Sequence, residues 1–242
     1  MDANTLLFAA ILIPCLIVAI VFHEVAHGWV ANMLGDPTAK EKRRLSLNPL
    51  RHVDPMGTLL VPGFLALVGG PIFGWAKPVP VNARRLDNPR LGMMAVAAAG
   101  PGTNFLLAIV GAILLGLALP AGATMGQAET GMSLIVDASG ETAIFASAAF
   151  YFVLINVFLA IFNLLPIPPF DGSHLVEGAL PRRWVRYYEK LRPIGMLLFF
   201  GLIALTWFAP ELGILENTIG PPVQWAMLNY LALADWVAGL AG

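Results

Sequence analysis

Between Ala3 and Gly35 the chain carries a single formally charged side chain, Glu24, and two histidines, His23 and His27, in an otherwise apolar run. A run of this length constrains the fold more than any other feature. About 20 apolar residues span a bilayer as a helix, and lipid accepts only backbone whose hydrogen bonds are closed internally. An ionisable side chain at mid-bilayer costs at least ~2.5–3.5 kcal/mol even on insertion scales. Three such groups in FHEVAHG therefore point to chemistry. On a helix, residues i and i+4 are about 40° apart around the axis and one turn apart along it. His23 and His27 can thus share one metal ion with Glu24 beside them as base, the H-E-x-x-H pattern of zinc peptidases. A polar patch that packs helices is the plainer alternative. It explains poorly why two of the chain's 4 histidines fall in one motif.

The composition agrees with a membrane setting. Of 242 residues, 58% are hydrophobic and 12% charged, with a mean hydropathy of +0.76. Soluble domains carry about 25% charged residues, so a polytopic membrane protein is expected. A net charge of −1, with no basic face, excludes nucleic acid as a partner. Cys15 is the only cysteine, which rules out an intrachain disulfide and a cysteine-type zinc site. The first apolar segment is too long for a signal-peptide core and lacks a basic flank, so it reads as a retained helix. No stretch between apolar segments is long enough for a separate soluble domain. Residues 1–242 are therefore expected to form one integral-membrane domain.

Apolar segments fall at 5–34, 56–74, 91–119, 142–165, 193–209 and 222–241. Lys and Arg collect at 40–51, 77–90 and 182–192 and are absent from 120–141 and 210–242. By the positive-inside rule the first three stretches are cytoplasmic. Both flanks of 56–74 then lie on one side, so this segment is not a simple span. Gly57, Pro62, Gly63, Gly69, Gly70, Pro71 and Gly74 would weaken a helix there. The expected fold is an all-α polytopic membrane protein of about five to six membrane helices. A re-entrant, partly β element covering about 56–82 follows the first helix, with Val79 to Val81 suited to a sheet edge that clamps an unwound substrate. Segment 222–241, with Asp235 and no basic anchor, either returns through the membrane or lies along its surface. His23 lies about 24 Å along the helix from Leu7, at 1.5 Å per residue, which places the motif nearer the cytoplasmic face.

A catalytic zinc takes three protein ligands and leaves one position open. In the run Asn163-Leu-Leu-Pro-Ile-Pro-Pro-Phe-Asp171-Gly172, three prolines in four residues stop the 142–165 helix at the same cytoplasmic depth as the histidines. Asp171 is the best third ligand, with a plain Asp-Gly turn as the alternative. His174 is either a further ligand or a partner to one. His52, beside Arg51 and Asp54, reads as a solvated surface residue. Asn156 and Asn104 read as helix-packing residues. Asn163 reads either as such a residue or as a donor to a developing oxyanion.

The two motifs, HEVAH at 23–27 and the run at 163–172, resemble the site-2 protease family of intramembrane zinc metalloproteases. Supporting stretches are Asn48 to Asp54-Pro55, Gly74 to Val81, and Ala99-Gly100-Pro101 with Asn104. The resemblance implies one Zn2+ per chain held by His23, His27 and Asp171, Glu24 as general base, and Asn163 at the oxyanion. It implies hydrolysis of peptide bonds in or near transmembrane segments of membrane-protein substrates, in regulated intramembrane proteolysis. The chain is similar to the compact bacterial or archaeal group without a PDZ domain, resident in the cell (inner) membrane. A metal-binding or metal-transport membrane protein with the same His and Asp ligands is the rival, and a catalytically dead scaffold a further one. Substrate identity and oligomeric state, a homo-oligomer included, are left open.

The basic flanks generate a direct expectation. In a Cys15-free background, cysteines placed near Arg44 and near Arg85 should be labelled from one side of the membrane only, the cytoplasmic side. Labelling from opposite sides would make 56–74 a full span.

Overall fold

The computed structural model describes residues 3–61, 64, 75–127 and 133–241. The main helices are α1 (Ala3–Met33), α2 (Pro89–Ala118), α3 (Ile144–Asn163), α4 (Gly172–Ala179), α5 (Arg182–Tyr188), α6 (Arg192–Phe208) and α7 (Gly220–Ala241), with Pro14 inside α1 and Pro101 inside α2. Among the described residues, four stretches are long and apolar enough to cross a membrane: Leu6–Met33, Pro89–Ala118, Ile144–Asn163 and Arg182–Phe208. Their outer faces fit lipid, with Ile13, Leu16 and Ile17 on α1 and Leu106, Val110 and Leu114 on α2 all exposed. The fold is thus that of a helical polytopic membrane protein. The expected 222–241 segment is helical too, but it does not reach the apolarity of the four.

The chain divides into two compact units, one of Met1–Ala19, Asn104–Ala160 and Pro221–Gly242, the other of Ile20–Thr103 and Ile161–Gly220. In the first unit, Asn104 is fully buried and donates through Nδ2 to the Asn156 Oδ1 at 2.8 Å and to the Ala19 carbonyl at 3.2 Å. Asn156 in turn donates to the Phe152 carbonyl at 2.8 Å. Both asparagines therefore serve helix packing, as expected of them. Gly116 lets α7 approach, since a Cβ there would meet the Ala234 carbonyl and Val237.

The same unit holds the strands found among the described residues, an antiparallel pair β1 (Thr124–Gln127) and β2 (Ser133–Val136) with Thr124 opposite Val136. Tyr151 of α3 anchors this pair, its hydroxyl donating to the Ser133 carbonyl at 2.6 Å. Its ring packs with Phe8, Ile11 and Leu134.

Among the described residues, β structure thus lies elsewhere than expected. The expected strand element at 56–82 forms no ladder where it is described, and residues 62–63 and 65–74 lie outside the described residues. Pro55–Leu60 forms a π-helical turn capped by Asp54, which accepts from the Met56 and Gly57 N–H groups at 3.0 and 2.8 Å. Residues 75–82 run without helix or sheet pairing. The Trp75 N–H donates to the Gly57 carbonyl at 3.1 Å and the Lys77 N–H to the His52 carbonyl at 2.8 Å. Prolines at 78 and 80 remove every second donor. An isolated stretch can satisfy its backbone against loops as well as against a strand, which alternation of residue types does not reveal.

His52 is a correction. It is 3% exposed, and its Nε2 pairs with the Ser46 carbonyl at 2.8 Å. Its neighbours Arg51 and Asp54 are turned elsewhere, to the Arg43 carbonyl and the turn at 56–57.

The buried asparagine pair sets a stability expectation. Asn104→Ala leaves the Asn156 carbonyl oxygen without its donor, a loss of about 1–3 kcal/mol. Unfolding of the purified protein in detergent should show it, and an unchanged transition would deny the pair a role.

Candidate metal centre

The second unit contains the groups singled out by sequence. His23 and His27 lie on α1 one turn apart, ring centroids 4.6 Å apart at 86°, and both are buried. The Nε2 atoms are 3.0 Å apart. Asp171 Oδ2 lies 3.1 Å from the His23 Nε2 and 3.3 Å from the His27 Nε2. Two ligands ~2.05 Å from a metal at a tetrahedral angle stand about 3.3 Å apart. The three atoms thus form a triangle of the size of one tetrahedral face. They are the group of His, Cys, Asp or Glu side chains able to hold a metal ion among the described residues.

Two further observations fit an ion there. Asp171 Oδ2 is buried yet accepts no well-aligned hydrogen bond, although two ring nitrogens are near. Gly100 of α2 leaves a cradle against the imidazoles, because a Cβ at this position would lie 2.5 Å from the His27 Nε2 and 2.6 Å from the His23 Nε2. The tautomer of His27 agrees. Its Nδ1 is 2.7 Å from the Val96 carbonyl. A carbonyl only accepts, so Nδ1 carries a proton, and in the neutral ring that binds a metal Nε2 keeps its lone pair toward Asp171.

The loop that carries Asp171 is tightly built. Helix α3 stops at Asn163, and the chain then closes on itself so that a Cβ at Gly172 would meet the Leu164 carbonyl. Phe170 is buried between Phe162 and Phe199, with ring centroids 4.7 and 5.7 Å away. Asp171 occupies the position before α4, where an aspartate ordinarily caps its own helix, but its side chain makes no such bond. The carboxylate is turned to the histidines instead, which sets aside the plain turn reading.

Glu24 points to another part of the chain, its Oε2 accepting the Val79 N–H at 2.8 Å. His174 does not join the three-atom group. Its Nδ1 lies 3.2 Å from Glu177 Oε2, and Arg192 bonds the same carboxylate, through Nε at 2.8 Å and through its NH2 group. Burial works to raise the pKa of Glu177, but the Arg192 guanidinium and His174 hold it below the ordinary carboxylate value. This cluster borders a cavity of about 320 Å³ that Arg90 and Arg182 also line. Asn163 is the last residue of α3, half-buried, eight positions before Asp171. Sequence reasoning did not single out the Val96 carbonyl, the Val79 N–H or the steric role of Gly100. Only the last two left a trace, in Pro78-Val79-Pro80 and in the Ala-Gly-Pro run.

Residues 11–205 match Peptidase family M50. The chain belongs to this family. The resemblance to site-2 proteases carried by HEVAH and by Asn163 to Gly172 is therefore one of membership. The chain is 36% identical over 218 residues to "Putative zinc metalloprotease YwhC" of Bacillus subtilis (strain 168), covering 90% of this chain and 85% of that protein. It is 27% identical over 188 residues to "Putative zinc metalloprotease Rip2" of Mycolicibacterium smegmatis (strain ATCC 700084 / mc(2)155), covering 77% and 64%. No solved structure matches significantly. Family and relatives together support a metalloprotease function.

The cradle at Gly100 generates a test. Gly100→Ala favours the helix by roughly 1 kcal/mol but fills the space beside both imidazoles. Metal analysis of the purified variant should show its zinc content reduced to a small fraction of the parent's. Full zinc occupancy would contradict the cradle.

Proposed function

We propose that this M50 chain is an intramembrane zinc endopeptidase that hydrolyses peptide bonds in or near transmembrane segments of membrane proteins, in regulated intramembrane proteolysis. The observation that carries the reading is the triangle that Asp171 Oδ2 completes with His23 Nε2 and His27 Nε2, the two histidines lying on an apolar helix. In this reading the three residues hold one zinc ion, and residues 1–242 work as one membrane domain. When bound, the ion supplies Lewis-acid polarisation of a carbonyl and acidifies its water toward a pKa of about 7.

The remaining chemistry belongs to the chain. Glu24 takes a proton from the attacking water and returns it to the leaving amine nitrogen, the usual reversal of a general base. Asn163 donates its amide to the carbonyl oxygen as that oxygen gains charge, an interaction of a kind often worth 10²–10³ in rate. His23, His27 and Glu24 share one helix, so nucleophile activation and proton return are fixed relative to each other by backbone geometry.

The substrate class follows from the setting. A peptide bond reached at this depth has to leave helical pairing, which costs several kcal/mol per bare polar group in lipid. Transmembrane segments with helix-weakening residues are accordingly the expected substrates. In this reading the site lies nearer the cytoplasmic face of a prokaryotic cell membrane, which the distribution of basic loops supports.

The test uses protein reconstituted in vesicles with a single-span substrate carrying Gly and Pro in its span. Mass spectrometry should place the cut within the span. Glu24→Gln should keep its zinc and lose at least ~10²-fold in turnover, as expected for a positioned acid–base group. Normal turnover by this variant would refute the mechanism. Binding or transmembrane passage of zinc without any cleavage would favour a metal-transport role.

A further inference from the structure

The FHEVAHG motif ends in a glycine that metal binding does not require. Gly28 lies one turn beyond Glu24, and a Cβ there would stand 2.7 Å from the Val79 Cγ1 and 2.6 Å from the Leu45 Cδ2. Gly28 thus makes room for the Val79 side chain, which is 8% exposed. The backbone N–H of the same Val79 donates to Glu24 Oε2 at 2.8 Å. One residue is therefore docked twice on one face of α1, by its side chain at Gly28 and by its N–H at Glu24.

The chain around Val79 is built to present that one donor. Pro78 and Pro80 have no N–H, so Val79 carries the only backbone donor in 78–80. Prolines also fix φ near −65° and hold the residue before them extended, which stiffens the stretch. Both sides of it are pinned. Before it, the Lys77 N–H donates to the His52 carbonyl at 2.8 Å, and the Lys77 carbonyl accepts from the Arg44 guanidinium at 2.6 Å. Beyond it, the Asn82 N–H donates to Asp36 Oδ2 at 2.6 Å and the Asp87 N–H to the Leu34 carbonyl at 2.9 Å. Asp36 is fully buried just past the end of α1, and its Oδ1 also accepts the Thr38 N–H at 3.0 Å.

We infer that Val79 is a positioning residue for Glu24: its N–H fixes one carboxylate oxygen, leaving the other to take and return the proton. A glutamate has three side-chain torsions, and among the described residues its carboxylate is bonded by the Val79 N–H rather than by a group of its own helix. A donor on a stiff, twice-pinned stretch removes that freedom before substrate arrives. This rests on the role proposed for Glu24 above and adds what holds it ready.

The decisive variant replaces Val79 by its α-hydroxy acid through nonsense suppression, so that an ester oxygen takes the place of the N–H with the side chain retained. Val79→Pro, which removes the N–H with an encoded residue, is the companion. Both should lower kcat about 10- to 100-fold, the range of a hydrogen bond to a charged group, with KM and zinc content unchanged. Val79→Ala keeps the N–H and should retain more of kcat than the ester. In zinc-free protein, the Glu24 carboxylate stretch, identified by infrared difference against Glu24→Gln, should shift in the ester variant. In the Glu24→Gln background the ester should add no further loss.

Parental kcat in the ester variant, an unshifted carboxylate band, or an equal loss in Val79→Ala would overturn the inference. A fully active Glu24→Gln protein would instead remove the role of Glu24 itself, so the two failures are distinguishable.

Discussion

A helix consumes its own backbone donors and acceptors, so ionisable groups on an apolar helix have to be satisfied from elsewhere. Much of the second unit follows from that requirement. Glu24 receives its donor from Val79, His27 its acceptor from Val96, and the two Nε2 atoms face Asp171. Three separate stretches of sequence converge on one turn of α1. Each is brought close by a residue that keeps space clear or bends the chain, Gly28 for Val79, Gly100 for α2 and Gly172 for the Asp171 loop. Substituting any of these groups by an apolar residue would leave a helix that still inserts in lipid. The chemistry is what the convergence serves.

Much of this was legible in the sequence because the signals are strong where the environment is hostile. A lone glutamate and two histidines in 33 mostly apolar residues stand out against the cost of placing them there. The proline run likewise marks the end of α3 and hence the loop that brings Asp171 back. Asn104 and Asn156 were readable for the same reason, since a buried amide needs a partner and another helix supplies it.

The misreadings occur where the signal is local polarity without a depth scale. His52 sits between Arg51 and Asp54, which resembles a wet loop, yet its ring is enclosed and bonded to Ser46. The valine and proline alternation at 78–81 resembles a sheet edge, and the residues are indeed unpaired in any ladder, but the Val79 N–H is already committed to Glu24 on α1 and the Asn82 N–H to Asp36. The two strands arise at 124–136, where the residue pattern is weak and Tyr151 and Ser147 of α3 hold them through hydroxyl groups. Long-range side-chain anchoring of that kind leaves no periodicity to read.

The two sides of the site are stabilised by different interactions, and this separates two kinds of damage. The Asp171 loop depends on packing of Phe170 and on α4. Arg90 ties the end of α4 down by donating to the Gly178 carbonyl at 3.0 Å and to the Leu180 carbonyl. The Glu24 side depends on the 75–87 segment and on buried Asp36. Burial works to raise the pKa of Asp36, but bonds from Thr38 and Asn82, with Arg85 nearby, hold it below the ordinary carboxylate value, so it remains an acceptor. Loosening the first set moves a ligand atom and with it the triangle that fits an ion. Loosening the second leaves that triangle intact and frees only the Glu24 carboxylate, the proton carrier of the proposed mechanism. Under the proposed mechanism, metal affinity and turnover are therefore separable, because Asp171 and Glu24 are held by different parts of the chain.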